Sequence, residues 1–163
     1  HLYEEDIKNA FMSVVAEVLE NRESIIANLE LMLKEVLSPD KQEAKIRKAK
    51  IRISALEIEI KHCVSENARK PIDQDEYNER YIPLADEYDR KYKELAELEG
   101  ELESLIRRRE IIGKYLSIIE GISMADRDFD MRTLVAMVEK AVVGLDGRVT
   151  FVLCDGSRFT REI

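Results

Sequence analysis

The chain has no tryptophan, three prolines, six glycines, two cysteines and two histidines in 163 residues. Each scarcity removes a class of protein. With so few turn formers and 37% of positions charged, the composition suits long solvated helices better than a compact enzyme core. Cys63 and Cys154 form no C-x-x-C pair, so neither a disulfide framework nor a zinc site is expected, and both read as reduced thiols in an intracellular setting. His62 and Cys63 are helix neighbours about 100° apart and cannot easily address one ion. There is no Gly-rich phosphate loop. The glutamates recur at i, i+3 and i+4 as solvated faces, so no catalysis is expected of this segment alone. No apolar run approaches the roughly 18 residues of a membrane span. A start at His1 rather than Met, without a signal peptide, reads as a soluble piece cut from a longer protein.

What the chain does have is heptads. Tyr77, Tyr81, Leu84, Tyr88, Lys91, Leu95, Leu98, Leu102, Leu105, Arg109, Ile112, Leu116 and Ile119 advance in alternating steps of four and three, a coiled-coil seam. Ile46, Ala49, Ile53, Leu56, Ile60 and Cys63 keep the same steps and supply a partner. The fold class expected is therefore mainly α: a long antiparallel coiled-coil hairpin on a helical base, with a small C-terminal antiparallel β-meander.

Three spans follow. Residues 1–37 form a base helix, running from about Glu4 to Leu37 on the repeat Ile7, Phe11, Val14, Val18, Ile25, Leu29, Met32 and Val36. Residues 38–120 form the arm, with Ser38 as N-cap, Pro39 in the first turn and a tip near 64–81. Pro83 kinks the returning helix or marks its start, and Gly121 fits its C-terminal cap. Beyond about Ile106 that helix outruns its partner, so its last turns must pack on the base. Residues 121–163 complete the base: Asp130 caps a short helix through Val138, and Asp146-Gly147 and Asp155-Gly156 separate three short strands.

Charge agrees with a hairpin. Lys41, Lys45, Arg47, Lys48, Lys50 and Arg52 crowd one helix, and Glu94, Glu97, Glu99, Glu101 and Glu103 the other. Antiparallel pairing sets Lys41 near Glu101, Lys45 near Glu97 and Lys48 near Glu94. Arg107, Arg108 and Arg109 are expected to pair with acids of the first helix such as Glu30 and Glu35. The one compact stretch with a positive balance is the meander, whose Lys140, Arg148, Arg158 and Arg161 are the candidate DNA contacts, since a β-ribbon can enter a major groove. At net −8 the chain would bind DNA weakly by itself.

Leu2-Tyr3-Glu4-Glu5-x-Ile7-x-x-Ala10-Phe11, then a coiled-coil hairpin, then Asp128-Phe129-Asp130 leading into Leu134-Val135, then Val142-x-x-x-Asp146-Gly147-x-Val149-x-Phe151 and Asp155-Gly156, resembles in that order the C-terminal zinc-ribbon and coiled-coil region of large serine recombinases. The resemblance implies a parent protein of a phage or mobile element that cuts and rejoins DNA through a phosphoserine link made by a catalytic domain absent here. It implies structural zinc in that parent, with no cofactor or metal in this segment because the zinc cysteines are missing. It implies DNA as a partner through the parent protein, other recombinase subunits through the coiled-coil tip, a directionality factor, no membrane, and the cytoplasm of a bacterial host. The tip residues to which it assigns subunit contact are Val64, Lys70, Ile72, Tyr77 and Tyr81. The competing class is a coiled-coil interaction or chaperone-like hairpin with no DNA role.

Overall fold

In a computed structural model of the chain, residues 2–122 and 131–163 are described. Apolar periodicity makes helices over most of this length: α1 (Leu2–Glu20), α2 (Arg22–Leu31), α3 (Asp40–Arg69), α4 (Gln74–Gly121) and α5 (Met131–Met137), followed by β1 (Val138–Val143), β2 (Arg148–Leu153) and β3 (Arg158–Glu162). The architecture is mainly helical with a three-stranded antiparallel sheet at the C-terminus. Contacts divide the chain into two units, residues 1–38 with 107–163, and residues 39–106.

The first unit buries a continuous core. α1 contributes Phe11, Val14, Val15 and Val18, α4 contributes Ile112, Tyr115 and Ile119 at i, i+3 and i+7, α5 gives Met137, and β2 gives Val149, Phe151 and Leu153 from alternate positions. Period 3.6 and period 2 meet on one apolar interior. The rings of Phe11 and Phe151 lie 5.5 Å apart at 57°, a tilted contact that their quadrupoles favour. Burying each such side chain contributes about 1.5–3 kcal/mol.

The first helix is not continuous, contrary to the sequence expectation. It breaks at Asn21, whose amide Nδ2 donates to the Glu17 carbonyl at 3.0 Å, a local bond that competes with the helical ladder. Met32–Val36 is then a π-helical turn, closed by Leu37 N–H donating to Met32 O at 2.9 Å. Arginines satisfy carbonyls left open at helix ends. Arg109 Nη1 donates to Leu33 O at 2.6 Å and to Leu37 O at 3.1 Å. Backbone carbonyls, rather than Glu30 or Glu35, are thus its partners, and this accounts for an arginine at a heptad position. Arg22 donates to Ile122 O at 3.0 Å and to Glu120 O, and so caps α4 from the helix break, where the sequence pointed to Gly121.

The second unit is a helical hairpin of α3 and the facing part of α4. Ile46, Ala49 and Leu98 form a buried cluster flanked by Leu95 and Leu102, with Ile53 and Leu56 buried further along α3. The antiparallel register is fixed by polar bonds. Gln42 Nε2 donates to Leu98 O at 3.0 Å and to Glu101 Oε2 at 2.8 Å, Lys50 lies 3.8 Å from Glu99, and Arg52 grips Glu87 with two nitrogens at 2.8 and 2.7 Å. The expected pairs Lys41–Glu101, Lys45–Glu97 and Lys48–Glu94 do not form. Gln42 takes Glu101, and Lys91, one turn away on the same helix, takes Glu94 at 2.8 Å. An exposed cross-helix lysine gains too little to hold its long side chain against such nearer partners.

The helix starts differ in detail from expectation. Pro39, not Ser38, is the N-cap residue of α3 and no side chain caps it; the first intrahelical bond runs from Glu43 N–H to Pro39 O at 2.9 Å. Pro83 lies inside α4 on its exposed side, where water can meet the carbonyl it leaves free. The sheet runs β1-β2-β3 with an irregularity between Val138 and Lys140. Gly147 and Gly156 turn it at φ 76° and 85°, a region that glycine enters without a Cβ penalty. Asp128, Phe129 and Asp130, with the expected cap of the short helix, lie outside the described residues.

Candidate functional site

Two surfaces gather the residues singled out from sequence, the turn of the hairpin and the sheet. At the turn, α3 ends at Arg69 and α4 begins at Gln74. Asp73 Oδ2 accepts from Asp75 N–H at 3.2 Å, capping α4 as short acceptors do, and Asn67 Oδ1 accepts from Ile72 N–H at 3.3 Å. These bonds hold open a notch of about 340 Å³ lined by Cys63, Glu66, Asn67, Arg69, Lys70, Ile72 and Arg80.

Lys70 and Ile72 are therefore brought together, whereas Val64, Tyr77 and Tyr81 lie outside the notch. Val64 is 46% exposed. Tyr77 and Tyr81, one helical turn apart, stack with centroids 5.5 Å apart and planes at 14°. Partial desolvation raises the Tyr77 phenol above its ordinary range. Sequence reasoning missed Arg80, which donates to Glu76 at 2.8 Å and lies 4.0 Å from Glu66 across the turn. The antiparallel register that pairs the two helices was the signal that could have found it.

No residue beyond Leu56 towards the turn is buried, although the heptads continue through Ile60, Cys63, Tyr77, Tyr81 and Tyr88. The tyrosines explain why the seam persists there without closing. Each packs its ring and keeps its hydroxyl wet, as when Tyr88 reaches Glu57 at 3.4 Å. Desolvation again raises the Tyr88 phenol.

The sheet divides its four cations. Lys140 pairs with Val152, which pairs with Arg158, and Arg148 pairs with Glu162. These three bases share the face opposite Val149 and Phe151, with Arg148 held 3.5 Å from Glu162 and a Thr150–Thr160 hydroxyl bond of 2.9 Å between them. Arg161 is on the other side, in register with the buried Val149. Its Nε donates to Ser13 Oγ at 3.0 Å, its Nη2 pairs with Glu17, and its guanidinium lies 5.9 Å from the Phe159 ring centre. Arg161 thus joins β3 to α1. Lys140 and Arg158 have no carboxylate partner among the described residues.

Among the described residues no group of three His, Cys, Asp or Glu side chains could hold a metal, and no helix is long and apolar enough to cross a membrane. The Cys154 thiol is pushed up by burial and donates to Ala136 O at 3.4 Å. Tyr115, fully in the core, is likewise pushed up by burial, and its hydroxyl finds no partner among the described residues. No family model matches the sequence, and no similar curated protein or solved structure was found.

Proposed function

We propose that this chain is a subunit-contact and DNA-binding segment of a site-specific serine recombinase, in which the hairpin turn meets another subunit and the sheet meets DNA. The observation that carries the reading is the unfinished seam. An arm built only as a spacer has no use for aromatic and aliphatic side chains at a turn where its own helices stop burying them, and a surface that another subunit covers does. The mixture around the notch, Arg69, Lys70 and Arg80 beside Glu66 and Ile72, suits a weak, reversible contact, enough between subunits already tethered on DNA. For the DNA contact the support is the outward trio Lys140, Arg148 and Arg158, while Arg161 acts as a structural tie.

Replacing Cys63 to Tyr81 by a short Gly-Ser turn in the full-length parent tests the reading. Binding to a single DNA site should persist and pairing of two sites should be lost. Synapsis at the parental rate would make the arm a spacer. If the parent binds no DNA at all, the hairpin is an interaction module of the competing class.

A further inference from the structure

α3 carries a second heptad row on the side away from α4. From Ala44 the steps of four and three run through Lys48, Ile51, Ala55, Ile58 and His62, opposite the row that packs in the hairpin. Its large apolar members are open to solvent, Ile51 at 69% and Ile58 at 70%, whereas Ile53 and Leu56, two residues from each of them, are buried. Isolated exposed isoleucines are ordinary. Two of them one heptad apart, with Ala55 between, are a seam without a partner.

We propose that this outer face of α3 pairs antiparallel with the same face of a second copy of the chain. The charges beside the row select that occupant and that direction. On the flank of the row stand Lys45, Arg52, Glu59 and Glu66, one per heptad, basic in the first half and acidic in the second. A parallel partner would turn these residues away from their own copies and set Arg52 beside Arg47. An antiparallel one sets Lys45 against Glu66 and Arg52 against Glu59 on both ends of a two-fold axis, while Ala55 meets Ile58 at the centre, Ile51 meets His62, and Lys48 meets Ser65. Sliding by one heptad would place Arg52 against its own copy, so charge also fixes the register.

The local bonds are compatible with this. Arg52 holds Glu87 across the hairpin with Nε and Nη2 and lies 3.3 Å from Glu59 of its own helix through Nη1, so it is this Nη1 edge that two copies would share in a four-charge cluster around the axis. Lys45 has no carboxylate partner among the described residues. An isologous contact of this kind closes as a dimer. The row from Ala44 to Ser65 is about 32 Å long, and one helix pair of that length lies at or below the roughly 1,200 Å² that marks the lower edge of stable interfaces, so the dimer is a weak one. The proposal shares Glu66 with the notch at the hairpin turn but does not rest on the reading given above.

Sedimentation equilibrium of the chain from micromolar to millimolar concentration is the test. A reversible monomer–dimer equilibrium is expected, and the double variant Ile51→Lys with Ile58→Lys should stay monomeric while keeping its helical circular dichroism, because both side chains are exposed. Lys45→Glu should weaken the dimer about tenfold, and Lys45→Glu combined with Glu66→Lys should restore it. In a Cys63→Ser, Cys154→Ser background, Ala55→Cys mixed with Ile58→Cys should cross-link under mild oxidation more readily than Ile58→Cys with itself. A chain monomeric throughout, a lysine double variant that dimerises like the parent, or preferential Ile58→Cys self-linking would each overturn the proposal.

Discussion

The two units use the same helical periodicity and reach very different interiors. In the base, helices and a sheet close around Phe11, Ile112, Tyr115, Ile119, Phe151 and Leu153, all at 0–1% exposure. In the hairpin, two helices pack along one stripe, and of the α4 heptad row between Tyr77 and Leu105 only Leu98 is buried. A helix packed on one neighbour buries a stripe; a helix packed on a second helix and a sheet buries most of a face. The hairpin therefore leans on side-chain bonds that the base needs less, such as Gln42 to Leu98 O and Arg52 to Glu87.

Substitutions can break that contrast, and the largest effect belongs to the base. Phe11→Ala should lower stability by about 3–5 kcal/mol, since it opens a cavity against Phe151, and the shift of a urea unfolding midpoint measures it. Leu56→Ala in the hairpin should cost about 2–4 kcal/mol, less because one side of its site can relax towards water; an equal or larger loss would mean that the hairpin is packed as tightly as the base.

Arg109→Ala comes next. It strips two carbonyls at the end of the π-helical turn of a charged donor, at about 1–2 kcal/mol with exposure taken into account, and amide hydrogen exchange should rise locally at Leu37. Smallest is the surface clamp. The Arg52 guanidinium, chiefly by hydrogen bonding, holds the Glu87 carboxyl below its usual range, so its contribution is present above the unfolded carboxylate value of about 4.3 and fades as pH falls through the lowered folded value. Glu87→Gln should accordingly lower the unfolding temperature slightly at neutral pH and match the parent in acid. A gap that persisted at low pH would show that the clamp works through shape rather than charge.

At the turn, Tyr77 and Tyr81 could be singled out because the heptads of α4 already run there, opposite the last turns of α3. The notch could not, because it depends on the backbone bonds that Asn67 and Asp73 accept at the turn, although the antiparallel register alone points Arg80 towards Glu66. On the sheet, the four bases were visible as a charge balance, but their division was not. Alternation along each strand separates Arg161 from Arg158 only after the register is known, and Ser13 and Glu17, which hold Arg161, are more than a hundred residues away in the chain.

By itself the sequence determined the helices, the antiparallel hairpin and the glycine turns, because period, turn chemistry and charge are local properties written into neighbouring residues. Only the tertiary structure decided which charges are engaged and where helices end. Asn21 and the π-helical turn interrupt a run whose apolar spacing continues unbroken, since the N–H groups of Asn21 and Leu37 reach local carbonyls and Arg109, from α4, completes the carbonyls of Leu33 and Leu37. Arg109 has the same charge as Arg107 and Arg108, and it was the three-dimensional position of two open carbonyls, a geometric fact with no signature in spacing, that gave it a structural task.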